Sequence, residues 1–368
     1  MKFARIPSLL LIASALAGCG MSLPGSIDKE DAASPKVCDA YTGPDPATFT
    51  AYEGLMHEHS AYSDGDPKFI PADYFRIAQE SGYSFTGSAE HSDVLDTGLY
   101  ITLHASCDPS SGDLDPTQLE YCFLNPTPDK LFKWSSMLEQ ATAASNENFL
   151  AIRGFEWTSD VFGHINVYFS KNFSNAKTDL GYALTMETFW AWFTRAPGSI
   201  GLGGSVTAPV PFGGGGDGLA HFNHPGDKCL LEDVPLPPFS GECNWNNFEL
   251  VPDAVERMFG IEAYNDSNRD DRYMGDIAIA LDKGWRLSFL GSEDEHFGKY
   301  AVEEHPKTVT LATSLTEDGF KEAWLARRTY ALSNGIHARV EFSAEGHPMG
   351  SQMSCATGKN VPFTVKTV

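Results

Sequence analysis

His57-Glu58-His59 with Asp64, Glu90-His91, Glu156 followed by His164, His224, and Asp294-Glu295-His296 each open or close an apolar run that reads as a β-strand. Together they supply six of only 11 histidines in 368 residues, mostly beside an acid. Imidazole nitrogens combined with carboxylate oxygens suit Zn, Mn, Fe or similar divalent ions, and one carboxylate can bridge two such ions. His57 and His59 are two apart at a strand end, so both side chains leave one face. Asp294 and His296 repeat that spacing after Trp285–Gly291, and Glu156 closes Phe149–Phe155. The pattern predicts two or three divalent ions and a metal-dependent hydrolase. His221 and His224 are three apart and face opposite ways on a strand, so only one is expected to be a ligand. His104, His305, His337 and His347 are read as structural. No Gly-x-Ser-x-Gly or Cys/His protease pattern occurs.

The elements that must position these residues alternate from about residue 50 to 312. Strands are expected at 52–57, 83–88, 149–155, 164–169, 219–223, 260–264 and 286–291, and helices at 71–81, 128–147, 185–195, 271–283 and 316–327. In the second helix Leu131, Trp134, Leu138 and Ala141 recur at the spacing of one buried face. Such alternation implies an α/β fold with a parallel sheet or barrel, whose strand C-termini are where the proposed ligands fall. Inserts occupy 97–127 and 197–252. The run Gly213–Gly216 lacks the Lys-Ser/Thr of a phosphate-cradling loop, leaving a plain surface loop or a flap over the site. Phe189-Trp-Ala-Trp-Phe193 is expected to pack a helix against the sheet. Strand patterns take over at 329–368, where either a small β-module closes or the chain is cut short.

The first 18 residues carry Lys2 and Arg5, an apolar run and a small-residue end, as a signal peptide does. Leu16-Ala17-Gly18-Cys19 resembles the bacterial lipobox, which implies a lipidated Cys19. Residues 19–49 would then be the lipid-bearing Cys and a tether, and 50–328 the catalytic unit. The expected location is the bacterial cell envelope, at the periplasmic face or outer membrane, with membrane contact through the lipid only. Cleavage takes the net charge from −23 to about −25. So acidic a chain repels nucleic acid, and no nucleic-acid partner is expected. Six further cysteines, at 38, 107, 122, 229, 243 and 355, sit where disulfides persist. Cys107–Cys122, Cys229–Cys243 and Cys38–Cys355 are the expected pairs.

HEHSAYSDG (57–65), SAEHSD (88–93), RGFEWTS (153–159), HFNHPGD (221–227) and GSEDEHFG (291–298) together resemble the PHP (polymerase and histidinol phosphatase) metallohydrolase family. GFEWTSDVFGHINVYF and RRTYALSNGIHARVEFSAEGHPMG look like its exported branch that includes carbaryl-hydrolase-like proteins. The resemblance implies a distorted (β/α)7 barrel with a small C-terminal β extension and a three-metal centre. His57, His59, Glu156 and Asp294 would hold one ion. Glu156 would bridge to a second held by His164 and His224, the latter favoured over His221 because it precedes Pro225. Asp64, His91 and His296 would surround a third. Glu156 and Asp294 are the expected catalytic carboxylates, and Glu90, Asp93 and Glu293 would orient histidine rings. A metal-bound hydroxide would attack the ester centre of a small-molecule substrate, most simply a phosphoester. Arg153, Lys228, Arg269 and Arg272 are candidate anion partners. Two alternatives stand beside this reading: a carboxylic or carbamate ester hydrolase, and a non-catalytic binding lipoprotein on the same scaffold.

Overall fold

A computed structural model describes residues 37–95, 133–176, 185–199, 213–228, 243–266, 271–333 and 335–367. Cys19, the insert 97–127, His104, Arg269 and the cysteines at 107, 122 and 229 lie outside them. In chain order the first strands are β1 (Thr50–Glu58), β2 (Phe85–Ser88), β3 (Glu90–His91), β4 (Leu150–Ile152), β5 (Gly154–Ser159), β6 (Gly163–Tyr168) and β7 (Leu219–Phe222). They are followed by β8 (Met258–Asn265), β9 (Ser288–Ser292), β10 (Lys307–Ala312), β11 (Thr329–Leu332), β12 (Val340–Ala344), β13 (His347–Pro348) and β14 (Phe363–Thr367). The helices are α1 (Pro71–Glu80), the single turn α2 (Ser92–Leu95), α3 (Lys133–Ala144), α4 (Met186–Phe193), α5 (Met274–Asp282) and α6 (Glu317–Leu325).

The strands form an α/β fold of mixed direction. One sheet runs β11-β10-β1-β2-β4 and another β3-β5-β6-β7-β8-β9; a small third sheet runs β13-β12-β14. The pairs β1–β2, β2–β4, β3–β5, β7–β8 and β8–β9 are parallel. In contrast, β5–β6 and β6–β7, like β1–β10 and β10–β11, are antiparallel. The expected parallel sheet is thus present in part, interrupted by antiparallel pairs. Only Asp160–Phe162 separate β5 from β6, and so short a turn can return the chain only antiparallel. Among the described residues the ladders trace these separate sheets rather than one closed ring. An isolated parallel bridge, Glu58 to Glu295, brings the end of β1 against the segment after β9.

Aromatic packing holds the larger sheet under its helix. Phe189, Trp190, Trp192 and Phe193 of α4 are buried with Phe155, Trp157 and Trp285, and rings meet tilted at 4.8 Å in Trp157–Phe189 and edge-on at 5.7 Å in Phe155–Trp192. In α3 the buried stripe is Trp134, Met137 and Ala141, while Leu138 is 44% exposed. Trp134 and Ala141 of the expected face are therefore buried, Met137 takes the place expected for Leu138, and Leu131 lies outside the described residues. The run Gly213–Gly216 is no free loop or flap. Gly214, Gly215 and Gly216 donate backbone N–H bonds to Ala196, Trp192 and Arg195, and a Cβ at Gly213 would lie 1.4 Å from the carbonyl oxygen of Pro197. These glycines let the chain press against the end of α4.

The two ends of the described body are tied together by a Cys38–Cys355 disulfide across a sequence separation of 317 residues. By loop-closure entropy a link of that span stabilises by up to about 5 kcal/mol. Cys243 is also disulfide-bonded.

Candidate metal centre

Strand register assembles the site. His91 on β3 is the parallel partner of Glu156 on β5, and His164 on β6 opposes Thr158, two residues beyond Glu156 and so on the same face. His57 is the penultimate residue of β1, His59 follows that strand, and Asp294 and His296 come after β9. His224 and Asp294 are turned inward by left-handed backbone, with φ of 26° and 50°. Non-glycine residues hold that conformation at a cost of order 1–3 kcal/mol, typically at functional sites.

All nine predicted ligands converge. Their nitrogens and oxygens fall into four overlapping groups within 4.8 Å: His59, Asp64, His91 and His296; His57, His59 and Asp294; His57, Glu156 and His224; and His91, Glu156 and His164. Glu156 is the hub. Its Oε1 lies 3.1 Å from His57 Nε2, 2.9 Å from His164 Nδ1 and 3.5 Å from His224 Nε2, and its Oε2 lies 2.9 Å from His91 Nδ1. Asp294 Oδ1 is 3.2 Å from His59 Nε2 and 3.4 Å from His57 Nε2. Asp64 Oδ1 is 3.2 Å from His91 Nε2 and 3.3 Å from His296 Nε2. The grouping differs from the expected partition: there are four groups rather than three, His57, His59 and His91 each belong to two of them, and His164 and His224 fall in different ones. His221 stays outside, 3.2 Å from the Tyr168 hydroxyl and stacked on that ring.

The donor set fits divalent cations. Ligand atoms 2.0–2.2 Å from one ion are necessarily within about 4.4 Å of each other. His57 Nε2, His59 Nε2 and His224 Nδ1 are buried without a hydrogen-bond partner, and orphaned buried polar atoms require an explanation. The opposite ring nitrogens explain which way the lone pairs face. His57 Nδ1 donates to Glu262 Oε1 at 2.8 Å, and His59 Nδ1 lies 3.3 Å from Ser63 Oγ, whose own hydrogen goes to Glu90. With Nδ1 so engaged, Nε2 is the nitrogen of each ring that is turned toward the carboxylates.

Charge follows the same geometry. Burial opposes ionisation of Glu156, but the imidazoles of His164, His57 and His91 outweigh it and hold its carboxyl well below the usual range. Burial likewise opposes a charge on His91, yet Glu156 and Asp64 push its imidazole up to about 10. His59, desolvated and beside His296 and His91, is pushed down to about 3 and is neutral. His91 therefore carries a proton at neutral pH that a cation would displace. Protons and metal compete, so metal affinity should rise with pH as that proton is lost.

Glu262 is a site residue that the motifs did not indicate. It is fully buried on β8; Oε1 accepts from His57 Nδ1 and Ser292 Oγ, and Oε2 accepts from His224 N at 2.7 Å and Asn265 Nδ2 at 2.9 Å. Its signal was present, as a lone acid in an otherwise apolar strand. Asn223, whose Nδ2 donates to Glu156 Oε1 at 2.7 Å, and Thr158, whose Oγ1 is 2.7 Å from His91 Nδ1, carried none. Of the expected orienting acids, Glu90 reaches His59 through Ser63 and Asp93 lies in α2. Glu293 instead accepts from Ala301 N and Val302 N at 2.7 and 2.8 Å, organising the next loop. Among the candidate anion partners, Arg153 is used structurally, stacked on Trp134 and donating to the carbonyls of Trp134 and Ser170. Arg272 pairs with Asp227.

No protein-family model matches the chain, and no curated protein matches it significantly. Among solved structures, a two-domain protein from Bacteroides vulgatus containing a predicted PHP-like metal-dependent phosphoesterase is similar at 20% identity and TM-score 0.46, covering 82% of this chain and 70% of that one. A protein from Bifidobacterium adolescentis, provisionally described as a metal-dependent phosphoesterase, is similar at 12% identity and TM-score 0.35, covering 74% and 96%. An endonuclease Q in complex with a duplex bearing an abasic lesion is similar at 10% identity and TM-score 0.29, covering 75% and 56%. At such values the functional reading rests on the side chains themselves.

A Glu262→Gln substitution tests the scaffold of the centre. Both carboxylate oxygens accept from N–H donors, so an amide must set its own donor against one of them. Metal affinity, measured by chelator competition, is expected to weaken about 10- to 100-fold. Unchanged affinity would show that Glu262 does not orient the ligands.

Proposed function

We propose that this chain is a PHP-type metal-dependent hydrolase, most simply a phosphoesterase, with His57, His59, Asp64, His91, Glu156, His164, His224, Asp294 and His296 as ligands to two or three divalent ions. The observation that carries the reading is Glu156: one buried carboxylate shared by imidazoles from four segments, of which His57 faces it with an Nε2 that has no hydrogen-bond partner. Bound ions would lower the pKa of water and neutralise charge developing on a phosphoryl oxygen. The chain's own groups do the rest. Glu262, Ser63 and Thr158 fix ring orientation, and burial of His57, His59 and His224 keeps bulk water from the inner ligands. Asp294 is 17% exposed and accepts from Asn265 Nδ2 through Oδ2, which fixes Oδ1 toward His57 and His59, where it would help to hold an ion and accept the proton of an attacking water. Hydrolysis forms a new P–O bond to that water, breaks the ester P–O bond, and delivers the proton to the departing alcohol.

The wider architecture belongs to the same proposal. The Glu58–Glu295 bridge between the two large sheets supports a distorted (β/α)7 barrel over 50–328, with 329–368 as a β extension. The Leu-Ala-Gly-Cys sequence supports a lipid-anchored envelope protein, and the −23 charge supports a small-molecule substrate over nucleic acid.

Two experiments bear on this. Glu156→Gln removes the bridging charge, and activity on phosphate monoesters with Mn or Zn is expected to fall at least about 1,000-fold while circular dichroism is unchanged; substantial retained turnover would refute its role. Activity on aryl carboxylic esters or carbamates in place of phosphates would select the ester alternative, and inactivity on both classes the non-catalytic one. Cys19→Ser should move the protein from the membrane fraction to the soluble fraction; an unchanged distribution would dispose of the lipid anchor.

A further inference from the structure

The centre is open on one side. His57, His59, His164 and His224 are almost wholly buried, whereas Asp64 is 52% and His296 25% exposed. Substrate must approach over Asp64 and His296. The residue following His296 is Phe297, 77% exposed and the most exposed large apolar side chain among the described residues. A single exposed apolar residue is ordinarily unremarked, but the backbone that carries this one is fixed to the site. Buried Glu295 accepts from the N–H of Phe297 and, at 3.2 Å, from that of Lys299. The carbonyl of Glu295 in turn accepts from His59 N at 3.2 Å, anchoring the segment to a site ligand. Gly298, at φ 72°, drops the chain against the loop that carries Asp64: a Cβ there would come within 2.4 Å of the Phe69 ring and 3.3 Å of Asp66 Oδ2. Phe69 packs edge-on against Tyr300, whose hydroxyl donates to His59 O at 2.7 Å. The position of Phe297 is therefore set by the frame that sets His59 and His296, with its ring left to solvent at the open rim.

We infer that Phe297 is a stacking platform for the leaving group, and that the substrate is a phosphoester of a flat aromatic alcohol. This rests on the phosphoesterase reading above. Leaving a phenyl ring in water forgoes burial energy, and a substrate ring laid on it recovers that energy together with the aromatic pairing preference. An aliphatic alcohol gains less from a planar, open surface, because it offers no ring face to pair. Phe297 is thus a specificity-determining residue: its effect should appear in KM and in substrate preference, and it should leave metal content unaltered.

The test measures kcat/KM for phenyl phosphate and for propyl phosphate in the metal-loaded protein, its Phe297→Ala variant and its Phe297→Trp variant. Each is also titrated with phenylphosphonate and propylphosphonate, which bind without ester cleavage. The aryl-over-alkyl ratio is expected to fall about five- to tenfold in Phe297→Ala, through KM and phosphonate affinity, and to return in Phe297→Trp. A ratio that is the same in all three proteins overturns the platform, as does phosphonate binding without aryl preference. If neither phosphate ester is cleaved while aryl preference in phosphonate binding still depends on Phe297, the platform stands and the reaction assignment fails.

Discussion

A carboxylate with almost no access to water, Glu156, is surrounded by His57, His91, His164 and His224. Taking such a charge out of water costs several kcal/mol unless positive charge comes with it. In the metal-free protein protons on the imidazoles supply that charge, and His91 holds one up to about 10. Divalent cations supply it better, because the same nitrogens can then present lone pairs while the charge sits between them and the carboxylate. The rest of the site is arranged to keep that exchange possible.

The arrangement has layers. Register delivers His91 and His164 to Glu156 without any special backbone. His224 and Asp294 need left-handed conformations to arrive, and the strain is offset by bonds that converge on Glu262: the His224 amide on one oxygen, the His57 ring on the other, and Asn265 reaching from Glu262 to Asp294. One buried acid outside the ligand set thus couples three ligands from three segments. Glu90 and Ser63 do the same for His59 on the other flank.

What could be read from the chain alone follows from how local the cause is. The strands carrying His57, Glu156 and Asp294 were visible because apolar runs end abruptly in acids and histidines, and period-two spacing put His57 and His59 on one face. His224 was preferred to His221 from a neighbouring proline; the inward turn that brings it to Glu156 is a backbone conformation that no spacing encodes. Glu262 sits in the apolar run Met258–Asn265, just as Glu156 sits in its own, and was overlooked because it belongs to none of the histidine motifs. Alternation points to parallel pairing, and loop length limits it: the turn after Ser159 is too short for a crossover, so β5 and β6 pair antiparallel. The glycine run was read as freedom when close packing against Trp192 and Pro197 was its cause. Partners such as Asn223 and Thr158, which depend on long-range register, left no mark in the sequence.

Anomalous diffraction from crystals grown with Zn or Mn measures the central claim most directly. The account predicts at least two peaks within coordination distance of Glu156, one shared with His57 and one with His164 or His91. Crystals soaked in saturating metal that show no anomalous density within reach of the Glu156 carboxylate would contradict it.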